Sequence, residues 1–230
     1  MTITKSIRLL ILTVAVTVMC ACQRDEPCTV QYEQSPELRG FRLGMSISDI
    51  QHRFPAFPTP DANDLGLSTV EISDRYSSNS PQRRTGDIVM NFVNGSLYPE
   101  LNQLKFAELK LLDGQLIEIT VYYPNNLKWE SADEFARKTG EALKLNGTWR
   151  KIGNDDSFSE IRYLQCGEVT KGFHVSAGMR RSPLLDDDRK FPYVQLQDFW
   201  KAEMEVFNRE QARDTRRKRE EQERKDTFKP

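Results

Sequence analysis

The clearest pattern of hydrophobic and polar positions runs from residue 103 to residue 123. Alternating apolar residues flank the pair Asp113-Gly114 there, at Leu104, Phe106, Leu109, Leu111 and Leu112 and then at Leu116, Ile117, Ile119, Val121 and Tyr123. Alternation with a period of two is typical of a half-buried strand. An Asp-Gly pair favours a two-residue turn, because both central residues of that turn have positive φ. The pattern therefore predicts an antiparallel β-hairpin with one buried face.

Two short helices are predicted, and each opens with a serine that can cap its first turn. Ser46 is followed three residues later by Asp49, and Ser131 by Glu134, which is the spacing of a capping box. The apolar stripes of the two helices are Ile47, Ile50 and Phe54, and Phe135, Thr139, Ala142, Leu143 and Leu145. The two capping serines lie 85 residues apart. This repetition suggests a tandem pair of helix–strand units as a hypothesis.

Shorter apolar segments predict the remaining strands, at 70–72, 87–93, 161–166, 172–179 and 193–196. Between residues 55 and 66, Pro, Asp and Asn interrupt any regular spacing of apolar residues, and residues 77–86 contain Pro81 and two arginines. Both segments are therefore predicted to be loops. The elements thus follow the order helix, strands, helix, strands. This order favours the α+β class, with an antiparallel sheet.

The last segment, from Trp200 to Asp226, lacks Gly and Pro and predicts a long helix. Trp200, Met204 and Phe207 have helical spacing, so we expect the first two turns to pack on the domain through them. Beyond them acids precede bases by four residues, at Asp214–Lys218, Glu220–Arg224 and Glu221–Lys225. The predicted organisation is one domain over residues 38–199, followed by a charged helix and tail over residues 200–230.

The first two dozen residues have the pattern of an export signal. Lys5 and Arg8 precede an uncharged apolar run over residues 9–19, which is too short to span a bilayer. The following Met19-Cys20-Ala21-Cys22 resembles a bacterial lipobox, in which a cysteine is acylated and becomes the mature N-terminus. Cys22 is the better candidate because Ala21 is the small residue before it, while Cys20 is the competing site. An ordinary signal cut after Ala21 is the alternative.

The predicted signal peptide therefore covers residues 1–21, and acyl chains on Cys22 would hold the protein on a membrane. Residues 22–37 are polar with few apolar positions and read as a flexible tether. Gln23 stands where some inner-membrane lipoproteins carry Asp, so the outer membrane is favoured over the inner one.

Charge and composition exclude several classes of protein. The 230 residues include 33 Lys and Arg against 34 Asp and Glu, with a net charge of -1 and 38% hydrophobic residues. This balance provides no general attraction to nucleic acid, so no nucleic-acid partner is predicted. The basic run over residues 216–219 is followed by Glu220, Glu221 and Glu223, and it is interpreted as a charged helix face.

Export changes the interpretation of the other two cysteines. An oxidising compartment permits a disulfide, and Cys28 and Cys166 are the candidates for one. Such a bond would tie the start of the mature chain to the second half of the domain. In the alternative, Cys28 lies in a loose leader and Cys166 is a small buried apolar residue.

Motifs that carry chemistry are sparse. The chain has two histidines, His52 and His174, and its cysteines lack CxxC spacing, so no metal site and no cofactor are predicted. The acidic run over residues 186–188 is read as a solvated loop. Cys166 and His174 could form a nucleophile and base, which makes a hydrolase the alternative function. A buried strand cysteine and a surface histidine explain the same residues, and no small-molecule substrate is identified.

A resemblance to known proteins rests on the stretch RGFRLGMSISDIQHRFP over residues 39–55. It resembles the opening of the β-lactamase-inhibitory-protein-like fold, which includes small outer-membrane assembly lipoproteins. The matching residues are Gly40, Leu43, Gly44, Met45, Ser46, Ile50 and Phe54. Further segments, including LKLLDGQLIEITVYY and WESADEFARKTGEALKL, resemble a family of uncharacterised bacterial lipoproteins. The resemblance implies short helices on one face of an antiparallel sheet, with the other face available to bind protein.

These observations lead to one expectation about function. We expect a lipid-anchored cell-envelope protein without catalytic activity, which binds an envelope protein or assists envelope assembly. Pairing of the C-terminal helix with a partner helix is a further hypothesis.

Overall fold

A computed structural model describes residues 26–73, 89–93, 98–102, 104–125, 129–152, 159–168, 170–181 and 190–228. The helices are α1 (Ile47–Arg53), α2 (Ala132–Ala142) and α3 (Val206–Thr227), the last continuous with a π-helical segment over Trp200–Glu205. The strands are β1 (Leu67–Ser73), β2 (Val89–Val93), β3 (Phe106–Leu112), β4 (Gln115–Tyr122), β5 (Arg150–Lys151), β6 (Ser159–Cys166), β7 (Phe173–Arg181) and β8 (Lys190–Gln197). Short 3₁₀ turns cover Tyr32–Gln34 and Pro99–Leu101.

The strands form one eight-stranded sheet in the order β2-β1-β3-β4-β8-β7-β6-β5. All neighbouring strands are antiparallel except the edge strand β2, which runs parallel to β1. The structure thus has the α+β architecture that the order of elements predicts. Its topology consists of two units, α1 with β1–β4 and α2 with β5–β8. They meet where β4 pairs with β8 at the centre of the sheet. Each unit has a helix and four strands, but the strand orders differ, since β2 lies outside β1 in the first unit and the second unit is a meander.

The main core lies on the face of the sheet that α1 and α2 cover. Ile50 and Phe54 of α1 and Phe135 of α2 join the same buried cluster as the alternate residues of β3, β4, β7 and β8. A second, smaller cluster of Phe106, Tyr122, Phe191 and Tyr193 lies on the opposite face. The sheet is therefore buried on both faces at this position, while the two helices share one side.

The local turn and capping signals are confirmed except at α2, where only half of the predicted capping box forms. Asp113 and Gly114 have φ values of 50° and 75° and connect β3 to β4, so the hairpin is confirmed. At α1, the Ser46 side chain accepts a bond from the Asp49 N–H while the Asp49 carboxylate accepts one from the Ser46 N–H, a complete capping box. At α2 the box is half formed, because the Glu134 carboxylate accepts the N–H of Glu130 instead of that of Ser131.

The segment over residues 40–46 is built around two glycines in the left-handed region. Gly40 has φ 93°, and a Cβ there would lie 2.6 Å from Cζ of Phe54. Gly44 has φ 81°, and its N–H donates to the Leu116 carbonyl at 2.8 Å. Leu43 is buried and Met45 packs against the main core. The motif therefore docks the entry to α1 onto the start of β4.

The start of the domain differs from the prediction. Cys28 forms a disulfide with Cys166, and both cysteines are buried. Ahead of it, the Glu26 N–H donates to the Thr148 hydroxyl at 2.9 Å, and Thr148 N–H donates to the Glu26 carbonyl at 2.8 Å. Ser35 is also buried. Residues 26–29 are thus attached to the second unit, and Glu37 pairs with Arg53 of α1 at 2.7 Å. This part of the predicted tether therefore belongs to the domain, which begins before Leu38.

Among the described residues, no helix combines the length and the apolar character needed to cross a membrane.

Candidate functional site

The structure does not bring Cys166 and His174 together as a nucleophile and a base. Cys166 lies in the main core beside Phe173, and its sulfur is bonded to Cys28. His174 is the next residue along β7, so its side chain points to the opposite face of the sheet. The thiol required for catalysis is oxidised, and the sheet separates the two groups. The hydrolase arrangement suggested by the sequence is therefore absent from the structure.

His174 instead belongs to a small aromatic cluster. Its Nε2 lies 2.7 Å from the Tyr163 hydroxyl, and its ring contacts Tyr163 edge-on and Phe199 at a centroid distance of 4.6 Å. Burial lowers the pKa of His174 from 6.5 to about 4. The imidazole is therefore neutral at pH 7, and it serves as a packing and hydrogen-bonding group.

The most buried carboxylate on the same face is Glu118 of β4, which is 5% exposed. Its oxygens accept bonds from Lys110 at 3.0 Å and from the amides of Gln195 at 2.9 Å and Gln197 at 3.2 Å. Burial alone would lower the pKa of Lys110, but the charges of Glu118 and Glu108 raise it overall. Since both oxygens of Glu118 are engaged, this carboxylate connects three strands and is not a free general base.

The C-terminal helix docks on the domain through charged side chains. Arg209 donates to both carboxylate oxygens of Asp113, at 3.0 and 2.6 Å, and to the Leu65 carbonyl at 2.8 Å. Further along, Arg213 contacts Asp64 at 3.2 Å. Hydrogen bonding to Arg209 lowers the pKa of the Asp113 carboxyl. The hairpin turn between β3 and β4 therefore serves as the attachment point of the helix.

The expectation that Trp200, Met204 and Phe207 pack on the domain is wrong. These side chains are 39%, 37% and 52% exposed. The less exposed helix positions are Lys201, Ala202, Glu205, Val206, Arg209, Arg213 and Asp214. Of these, Lys201, Arg209 and Arg213 contact the domain through Gln115, Asp113 and Asp64. We call Trp200, Met204 and Phe207 the outer stripe. Its residues keep a large part of their surface in solvent, while the ion pairs of Arg209 and Arg213 lie on the side of the helix that meets the domain.

Beyond Arg213, the side chains over residues 215–228 are exposed. Their ion pairs connect Arg217 with Asp214 at 3.4 Å and Arg216 with Glu220 at 3.9 Å, and these differ from the three predicted pairs. We call residues 214–228 the arm. Both of these ion pairs lie within the helix, and the basic run over residues 216–219 is exposed.

A cleft of about 540 Å³ lies between α2, the end of β4 and β8. Its walls are mainly apolar, formed by Leu38, Tyr123, Trp129, Phe135, Leu143 and Pro192. Two cations, Arg39 and Lys138, also line it, and the described lining contains no carboxylate. The volume lies within the range typical of small-molecule sites.

Arg39 lies in a two-residue turn that closes back on itself between Leu38 and Phe41. The Leu38 N–H donates to the Phe41 carbonyl at 2.8 Å, and the Phe41 N–H donates to the Leu38 carbonyl at 3.1 Å. Arg39 has φ 56° and Gly40 has φ 93°, so both are left-handed. The guanidinium of Arg39 lies over the Tyr123 ring, 5.1 Å from its centroid. The turn thus positions this cation beside the aromatic wall of the cleft.

From the sequence, Tyr122, Tyr123 and Trp129 could line a binding face or belong to the core, and Tyr123 and Trp129 line the cleft. Sequence reasoning missed the cleft as a whole and the outward orientation of the outer stripe. An Arg-Gly pair between two apolar residues was a signal for the Arg39 turn, but nothing local connects it with α2 or β8. Two candidate features, the lipidation site Cys22 and the acidic run over residues 186–188, lie outside the described residues. Comparisons of the chain with protein-family models, with curated proteins and with solved structures find no match.

Proposed function

We propose that this protein is a lipid-anchored protein of the bacterial cell envelope that binds another protein through the outer stripe of its C-terminal helix. The anchor is acylated Cys22, and the outer membrane is the favoured location. The disulfide between Cys28 and Cys166 supports export, because such bonds persist in oxidising compartments. The proposed function is binding rather than catalysis.

The outer stripe is the observation that carries this proposal. Trp200 and Met204 lie in the π-helical segment and Phe207 in the first turn of α3, and all three are exposed along one continuous helix. A helix with apolar residues exposed in this way can present anchors to a groove. Exposed apolar side chains grouped in this way mark interaction surfaces more often than isolated ones do. Trp is also among the residues that contribute most to binding energy at protein interfaces.

The attachment of the helix makes the outer stripe available without unfolding. Arg209 and Arg213 hold the opposite side of the helix on the domain. A partner can therefore cover the outer stripe while these ion pairs remain in place. The domain then acts as a rigid support for the binding helix, and the proposed lipid anchor keeps it at the membrane.

The resemblance to uncharacterised bacterial lipoproteins and to the β-lactamase-inhibitory-protein-like fold remains part of the proposal. It agrees with an antiparallel sheet whose two short helices share one face. No binding residue is transferred from that resemblance, because its motifs lie in the scaffold around Gly40 and Ser46.

The binding proposal is tested by crosslinking in intact envelopes. A photoreactive residue at position 208, next to the outer stripe, should give a discrete crosslinked product with the wild-type sequence. Replacing Trp200, Met204 and Phe207 together by Ala should remove that product. Ile152→Ala is the matched control, because Ile152 is also exposed, at 48%, but lies outside the outer stripe. Crosslinking that persists at full yield in the triple variant would contradict the proposal.

The anchor requires a separate measurement. Intact mass and membrane fractionation of the native protein should show an acylated N-terminus at Cys22 in the membrane fraction. Cys22→Ala should be released or left unprocessed. An unmodified soluble product cut after Ala21 would instead indicate a secreted protein.

A further inference from the structure

The cleft beside α2 has a charge pattern that selects its ligand. The only charged side chains of its described lining are Arg39 and Lys138, and both are cationic. Lys138 lies 3.3 Å from the Glu141 carboxylate, so its charge is partly compensated. Within the described part of the chain, no carboxylate lies within ion-pairing distance of Arg39. Among the described residues, Arg39 is therefore a cation without an ion-pair partner beside an apolar cavity.

The backbone at Arg39 gives an independent reason to assign it a role. Turns with two left-handed residues favour Asn or Gly at the first position, because a longer side chain is strained there. Arg39 adopts this conformation with φ 56°. Strained residues cluster at functional sites. Asp113 and Lys144 have similar φ values outside the cleft, so the turn supports a role for Arg39 through the position it gives the guanidinium. Here the strained turn places the guanidinium against Tyr123 at the cleft.

We propose that the cleft binds an amphiphile with one apolar chain and one anionic head group, whose oxygens pair with the Arg39 guanidinium. The apolar chain would lie along Leu38, Phe135 and Leu143. A planar guanidinium matches both carboxylate and phosphate oxygens, with two parallel hydrogen bonds to either. The shared ligand chemistry is thus that of a fatty acid or of a lysophospholipid. This site is independent of the outer stripe.

The test uses the full chain carrying Cys22→Ala, so that no acyl group of its own and no detergent competes. Titration calorimetry measures binding of dodecanoate, of dodecyl phosphate and of the neutral dodecanol. Both anions should bind more tightly than the alcohol. The anion that binds better indicates the source, a free fatty acid for the carboxylate and a lysophospholipid for the phosphate.

Two matched variants isolate the role of Arg39. Arg39→Asn removes the cation and suits the left-handed turn, so its melting temperature should equal or exceed that of the parent. Its affinity for both anions should fall about tenfold, with no change for dodecanol. Lys144→Asn is the control, because Lys144 has a similar φ of 55° but does not line the cleft. This control should leave all three affinities unchanged.

Three results would overturn the proposal. The first is the absence of binding by either anion. The second is binding of dodecanol as tight as that of the anions. The third is an equal effect of Arg39→Asn and Lys144→Asn. Each of these measurements is independent of crosslinking to a protein partner, so the ligand proposal for the cleft and the binding proposal for the outer stripe can be refuted separately.

Discussion

Removing the disulfide between Cys28 and Cys166 should lower the stability of the whole domain. The bond joins residues 138 positions apart, and it restricts the unfolded chain by closing that loop. The chain-entropy model gives about 5 kcal/mol for a loop of this length. For a protein of this size, the corresponding fall in melting temperature is about 10 to 20 °C.

The full effect requires that residues 26–37 remain packed when the bond is absent. The hydrogen bonds of Glu26 with Thr148, and of the Thr29 N–H with the Asn146 side chain at 3.1 Å, oppose detachment of this segment. If the segment detaches separately, the cost is limited to its own contacts. The size of the change in melting temperature therefore reports how firmly this segment holds to the domain.

The assay is thermal and urea unfolding of three samples, all carrying Cys22→Ala. They are the oxidised protein, the reduced protein, and the variant in which Cys28→Ala and Cys166→Ala are combined. Reduction keeps both side chains, whereas the double variant also removes buried sulfur atoms from the core. The difference in melting temperature between the reduced protein and the double variant measures the contribution of the two sulfur atoms to core packing. A fall of less than about 3 °C on reduction would refute the argument, because it would correspond to about 1 kcal/mol.

Three further predictions concern single residues. Gly40→Ala should destabilise the protein by at least about 2 kcal/mol in urea unfolding, because the new Cβ would lie 2.6 Å from Phe54 at a left-handed φ. Gly114→Ala is the control: φ is also left-handed, but the nearest contact of the new Cβ is at 3.5 Å, so the cost should be only about 1 kcal/mol. Arg209→Met should lower the free energy of unfolding by about 1 kcal/mol and make the peptide bonds after Glu205 sensitive to limited proteolysis, because it removes the ion pair with Asp113. Acidification through the lowered pKa of Asp113 should have the same effect on proteolysis. An unchanged cleavage pattern would argue against attachment of the helix by this ion pair. The pKa of His174 is about 4 in the folded protein and 6.5 in the unfolded chain, so the unfolded chain takes up the proton first as the pH falls. The free energy of unfolding should therefore decrease as the pH drops from 6.5 towards 4, by at most about 1.4 kcal/mol per pH unit. His174→Gln should show a weaker pH dependence.

The sequence predicted the elements whose signals are local. Alternation around Asp113-Gly114 and the serine caps at Ser46 and Ser131 depend on residues within a few positions of each other, and the structure contains the hairpin and both helices. The two-residue strand β5 was missed because Arg150 and Lys151 form no pattern of their own.

The structure could not be predicted from the sequence where it depends on contacts between distant parts of the chain. The helical spacing of Trp200, Met204 and Phe207 identified an apolar face correctly but not its direction. That direction depends on Arg209 meeting Asp113, which is 96 residues away. Likewise, the cleft needs the Arg39 turn, α2 and β8 together, and no single segment carries a signal for it.

The disulfide also determines how the protein carries mechanical load. A pull on the chain ahead of Cys28 passes through the bond directly into β6 at Cys166, the strand that pairs with β7 along its full length. Residues 29–165 lie inside the covalent loop, so the covalent path of this tension bypasses them. Under oxidising conditions, α1 and the Arg39 turn should therefore keep their geometry while the N-terminus is under force. After reduction, the same force would act first on the short hydrogen-bonded segment that begins at Glu26.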